Sequence, residues 1–87
     1  MQISNIILNS LGTVNKNCIV FNTNEGNLTL YFSFHTLVAF RRPNGEIVCR
    51  ENSWGNTTGK LLNSIQPDKS LRLLPQQFNE TLLTLFQ

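Results

Sequence analysis

The 87 residues, 40% of them hydrophobic and six of them phenylalanine, suffice for one small core and are too few for two domains. A formal net charge of +2, from seven basic and five acidic side chains, does not by itself imply nucleic acid. The opening MQISNIILNS has neither the basic start nor the long apolar stretch of a secretion signal, and no run approaches the ~20 apolar residues of a membrane span, so a cytoplasmic protein without a membrane partner is expected.

In chain order, Ile3 to Leu8 is an apolar run suited to a first strand, and Asn9-Ser10-Leu11-Gly12 reads as a turn. Asn17 to Thr23 suits a second strand, followed by a turn at Asn24-Glu25-Gly26-Asn27 with glycine available for positive φ. Leu28 to Phe34 alternates with period two, placing Leu28, Leu30, Phe32 and Phe34 on one face and Thr29, Tyr31 and Ser33 on the other. Thr36 to Arg42 and Ile47 to Glu51 are joined by Pro43-Asn44-Gly45-Glu46, and an Asn-Gly pair between two β-prone runs is a hairpin signal. The first fifty residues therefore read as a meander of about five antiparallel strands.

Beyond them Ser53 to Gly59 is polar and glycine-bearing. Lys60 to Ile65 has the spacing of a short helix, with Asn56 or Thr57 as its cap. Gln66-Pro67-Asp68-Lys69 breaks it, and Ser70 to Leu73 suits a brief extended piece. Pro75 suits the first turn of a second helix, in which Phe78, Leu82, Leu85 and Phe86 recur on one face. Strands followed by helices predict a single α+β domain over residues 1–87, with the C-terminal amphipathic helix packed on the sheet.

Six of the seven basic residues (Arg41, Arg42, Arg50, Lys60, Lys69, Arg72) fall after residue 40, whereas Lys16 and Glu25 alone are charged in the first forty. Gathered on one face, the later ones make a modest anion-binding patch; dispersed, they are a solvated surface. Cys18 and Cys49 lie in apolar runs and in no CxxC arrangement, so each reads as a small hydrophobe. A disulfide between them requires their strands to be neighbours.

Catalytic and metal chemistry lacks its residues. His35 is the single histidine, and metal sites need three or four convergent ligands, so neither a metal nor another cofactor is expected. Gly55-Asn56-Thr57-Thr58-Gly59-Lys60 resembles a phosphate loop only superficially: three residues, not four, separate the glycines, and Leu61 follows the lysine where a Ser or Thr is required. A weak anion site at Thr57, Thr58 and Lys60 remains, against the simpler reading of a helix cap. Trp54 stands between Arg50 and Lys60. Exposed, it would stack bases or anchor a protein interface; buried, it would plug one end of the core.

Thr36-x-Val38-Ala39-Phe40, followed by Glu51-Asn52-x-Trp54-x-x-Thr57-Thr58-Gly59-Lys60-x-Leu62-Asn63, resembles a signature of small uncharacterised proteins from phages and related mobile elements. The likeness covers roughly Tyr31 to Ile65, with a weaker echo at Leu74-Pro75-x-x-Phe78, and leaves out the first thirty residues. In that family a histidine often stands at the position of Leu61, so this chain's departure argues against a general base there. The resemblance implies an origin and not a mechanism. With no catalytic set, it leads to the expectation of a non-enzymatic accessory protein that binds a host or phage protein stoichiometrically, for instance to inhibit a host-defence complex. The alternative expectation is a small nucleic-acid-binding protein using Arg41, Arg42, Arg50, Lys60 and Trp54. A homo-oligomer is compatible with either.

Overall fold

The computed structural model describes residues 2–13, 16–52 and 55–86. Among them five strands form one antiparallel sheet in sequential order: β1 (Ile3–Thr13), β2 (Lys16–Thr23), β3 (Gly26–Ser33), β4 (Thr36–Arg41) and β5 (Ile47–Cys49). Two α-helices follow, α1 (Asn56–Ile65) and α2 (Pro75–Leu83), with short 3-10 turns at Lys69–Leu71 and Thr84–Phe86. The expected α+β fold, a five-stranded meander followed by two helices packed on it, is the fold observed.

The turns follow from their residues. Gly26 takes φ +119° where β2 reverses into β3, a conformation that costs glycine nothing. At the β4–β5 reversal the Gly45 amide donates to the Arg42 carbonyl at 2.9 Å and the Arg42 amide to the Glu46 carbonyl at 2.8 Å. Pro43 and Asn44 occupy the centre of that turn and Gly45 has φ +92°. This is a three-residue loop of a turn plus a left-handed glycine, so the Asn-Gly signal is correct while the loop is one residue longer than a two-residue Asn-Gly hairpin.

Sheet alternation sends two sets of side chains in opposite directions. Leu28, Leu30, Phe40 and Val48 pack with Phe78 and Leu85 of the C-terminal helical segment. Val38, Ala39 and Cys49 pack with Leu61 and Leu62 of α1. The helices thus cover opposite faces of the β3–β5 half. A β-bulge makes this work: Tyr31 pairs with Ala39 and Phe32 with Leu37, so Val38 is the extra residue and joins Ala39 on the α1 side. Phe40 and Phe78 meet edge to face, centroids 5.6 Å apart at 89°, the arrangement ring quadrupoles prefer.

Several boundaries differ from the sequence reading. Asn9-Ser10-Leu11 is not a turn: β1 continues to Thr13, with Asn9 opposite Cys18 and Ser10 opposite Asn17, because the ladder to β2 outweighs local turn chemistry. Phe34 does not extend the alternating strand; it sits in the β3–β4 turn at φ +56°. α1 begins four residues before Lys60, its N-cap is Gly55, and no side chain caps it. The helix can start that early because Thr58, Leu61, Leu62 and Ile65 form one stripe toward the sheet. Ser70 and Leu71 lie in the 3-10 turn; Arg72 is extended, and Leu73 forms a parallel bridge to Arg50.

Candidate functional site

The residues singled out in the sequence do not assemble into one site. Arg41 projects on the α1 face and is exposed, whereas Arg42 turns to the α2 face, 5.9 Å over the Phe40 ring and 3.5 Å from a Glu46 carboxylate oxygen. That ion pair belongs to the β4–β5 turn. Arg50 is half-buried at the β5 edge, where its amide donates to the Val38 carbonyl at 3.0 Å. Thr58 is 2% exposed and holds Ser33 at 2.6 Å between hydroxyl oxygens, which removes it from any binding surface. Trp54 and the side chain of Thr57 lie outside the described residues. Arg41 and Arg42 thus point to opposite faces and do not share one patch, as alternation along an extended chain requires.

What the fold does bring together is Arg41 with Lys60 and with Lys16 of β2. These three cations line one groove of about 390 Å³ with Tyr31, Leu11, Leu61, Ser64 and Ile65. Its lining has no carboxylate. Lys16 and Tyr31 went unnoticed in the sequence because each is remote from the basic second half, and only sheet pairing places them beside α1.

A second cleft, about 450 Å³, is bounded by Glu51, Asn52, Gly59, Asn63, Lys69 and Arg72. Arg72, 8% exposed, donates through Nε and Nη2 to the Gln66 carbonyl at 3.2 and 2.9 Å, and through Nη2 to Asn63 Oδ1 at 2.8 Å. It thereby satisfies the frayed C-terminal end of α1. A Cβ on Gly59 would stand 3.0 Å from Asn52 Nδ2, so glycine there lets the Asn52 amide lie against the helix.

The string that carries the resemblance divides accordingly. Among the described residues of that string, Val38, Ala39, Phe40, Thr58 and Leu62 are core, Glu51, Asn52, Gly59 and Asn63 rim the Arg72 cleft, and Lys60 reaches the basic groove.

The third feature is the β1 end of the sheet. Leu73 closes the outer edge of β5, donating to the Cys49 carbonyl and accepting from the Glu51 amide, both at 2.8 Å. β1 forms the opposite end of the sheet, all of residues 2–11 exposed. It carries eleven uncharged residues without proline, so charge and proline, two of the devices that protect edge strands, are missing, while its pairing with β2 is irregular between Ile3 and Asn5 and between Ser10 and Thr13. Register places Ile6 opposite Phe21 and Leu8 opposite Ile19, on the face of α2 but beyond its reach. Ile6 is 58% and Leu8 69% exposed. Beside them Leu8, Ile19, Phe32, Phe34 and His35 border a shallow depression of about 190 Å³. Phe34 is half-exposed there, and for a bulky residue φ +56° is a strained backbone state costing on the order of 1–3 kcal/mol.

The cysteines fit neither redox nor metal chemistry. Cys18, Tyr31, Ala39 and Cys49 lie in one cross-strand row, so about three strand spacings, ~14 Å, separate the thiols, far beyond disulfide reach. Burial pushes the Cys49 thiol up from 9.0 to about 11, with the Arg72 charge partly opposing. Burial also raises Cys18, against a hydrogen bond from Asn9. Among the described residues no three His, Cys, Asp or Glu side chains converge, and no helix is long and apolar enough to cross a membrane.

Comparison with curated proteins and with solved structures finds no match. A family profile matches residues 1–79, taking in the β1–β2 hairpin and α1 together. On that match the chain belongs to the Family of unknown function (DUF8033).

Proposed function

We propose that the protein is a non-enzymatic binding protein that engages another protein stoichiometrically through the β1 edge and the adjoining apolar face. The observation that carries this is β1 itself, an uncharged, proline-free edge strand, exposed over residues 3–11, bearing Ile6 and Leu8 beside a strained, half-exposed Phe34. Such an edge offers backbone amides and carbonyls to an incoming extended segment, which at Ile6 would displace the Asn5 side chain that accepts from its amide at 2.9 Å, and pockets for alternate side chains give selectivity. The partner is then a protein with an exposed strand carrying apolar side chains at every second position. The resemblance to small phage proteins makes a host protein, such as a component of a defence complex, the expected partner.

The reading is tested by affinity capture from host lysate with nuclease treatment, comparing the native protein with an Ile6→Lys, Leu8→Lys variant whose circular dichroism is unchanged. A discrete protein that survives nuclease and is lost with the variant supports it. Capture indifferent to the variant overturns the assignment to β1. Light scattering over a range of concentrations separates partner binding from pairing of two copies along β1. A second reading, nucleic-acid binding, is favoured by one specific observation, the convergence of Lys16, Arg41 and Lys60 in a single groove.

A further inference from the structure

We propose that the groove between α1 and the β2–β4 strands is a binding site for a nucleotide unit, a phosphate joined to a base. The site deepens the second reading above and is independent of the β1 surface. Its wall is built from three separate parts of the chain: Lys16 at the start of β2, Arg41 at the end of β4 and Lys60 in the second turn of α1. None of the five carboxylates lines it, and among the described residues the recorded ion pair, Arg42 with Glu46, lies on the opposite face. Three like charges around one concavity raise the local potential and favour an anion. A planar arginine suits a phosphate oxygen pair, and two lysines add point charges.

The remaining lining sets the second half of the ligand. Tyr31 is half-buried, packing against the Leu61–Leu62 cluster while lining the groove with Leu11 and Ile65. An aromatic ring and apolar side chains beside cations are what a stacked base requires, and this combination is sequence-tolerant. Inorganic phosphate would leave that apolar wall unused. The volume, about 390 Å³, falls in the range of small-ligand sites and admits one nucleotide unit, whether free or part of a strand. Ser64 contributes little, since its hydroxyl already donates to the Leu61 carbonyl at 2.6 Å.

Binding is read by fluorescence anisotropy of a labelled octathymidylate and of a labelled mononucleotide at low salt, with inorganic phosphate and a duplex of equal length as competitors. Expected are binding of at least one nucleotide probe and a log–log salt slope of about −2 for the strand, since the three cations neutralise the seated phosphate and its two neighbours along the strand at roughly −0.7 each. The Arg41→Gln, Lys60→Gln variant, altered at two exposed positions, should weaken affinity at least tenfold and flatten the slope by about 1.4. Tyr31→Leu should lose about tenfold while Tyr31→Phe retains binding, as stacking on the ring requires. Preference for the strand over the mononucleotide identifies single-stranded nucleic acid as the source, and the reverse identifies a free nucleotide. The proposal is overturned if no nucleotide probe binds the folded protein, if the double variant binds unchanged, or if inorganic phosphate competes as well as the nucleotide. The Ile6→Lys, Leu8→Lys variant should bind nucleotide normally, so failure here and failure of the protein-binding reading are told apart.

Discussion

Ser33 Oγ and Thr58 Oγ1 stand 2.6 Å apart, both buried, at the point where the end of β3 meets the first turn of α1. Thr58 shares the sheet-facing stripe of α1 with Leu61 and Leu62, which pack in the core, while Lys60 lines the groove. Thr58→Val removes one partner and strands the Ser33 hydroxyl, so unfolding in urea should show a loss of about 1–3 kcal/mol. Ser33→Ala should cost a similar amount. The double variant should cost clearly less than the sum, and additive losses would mean the two hydroxyls do not act as a pair.

Phe34 holds a backbone conformation that glycine adopts freely. Phe34→Gly should leave the isolated protein as stable or more stable, by up to about 1 kcal/mol, as strain relief offsets glycine's greater unfolded-state entropy. The same change should weaken partner capture, since it removes half-exposed apolar surface beside Leu8. A variant that loses stability and keeps full capture contradicts the role given to this turn.

Arg72 bridges Asn63 and the Gln66 carbonyl from a nearly buried position. Arg72→Met keeps the apolar stem but leaves those acceptors unanswered, at a cost of about 2 kcal/mol or more in a denaturation experiment. Arg72→Lys should recover less than half, because a single ammonium cannot reproduce the spacing of Nε and Nη2.

Native Cys18 and Cys49 should resist an aromatic disulfide reagent at pH 8, and both should react in denaturant. The Cys49 thiol has its folded value raised to about 11 from 9.0, so its contribution to stability is complete below pH 9 and is lost as the pH rises through 11. Between pH 9 and 11 the urea midpoint of the native protein should fall more steeply than that of Cys49→Ala. Parallel curves would show that Cys49 ionises alike in both states.

The meander was legible because each strand declares itself locally. Leu28 to Ser33 alternates, Gly26 and Gly45 supply the left-handed turn positions, and Phe78, Leu82 and Leu85 recur at helical spacing. Where local chemistry was a poor guide, a longer-range interaction had prevailed. Asn9-Ser10 reads as a turn but is held in β1 by its ladder to Cys18 and Asn17. Asn56 and Thr57 read as caps, yet α1 starts at Asn56 with Gly55 as its N-cap, because helical propagation through Thr58 buries one more residue of its stripe.

The candidate sites were far less legible, and the reason is geometric. The sequence by itself determined the α+β class, the order of elements and most of the core, since these depend on residue type and on periods of two and 3.6. Only the tertiary structure decided which side chains meet. Adjacent residues on a strand point to opposite faces, so Arg41 and Arg42 part, while pairing across β2, β3 and β4 carries Lys16 and Tyr31 to Arg41 and Lys60. Placing a helix on each face of β3–β5 also left β1 exposed and β2 only half-buried, because two short helices, ten and nine residues long, cannot cover five strands.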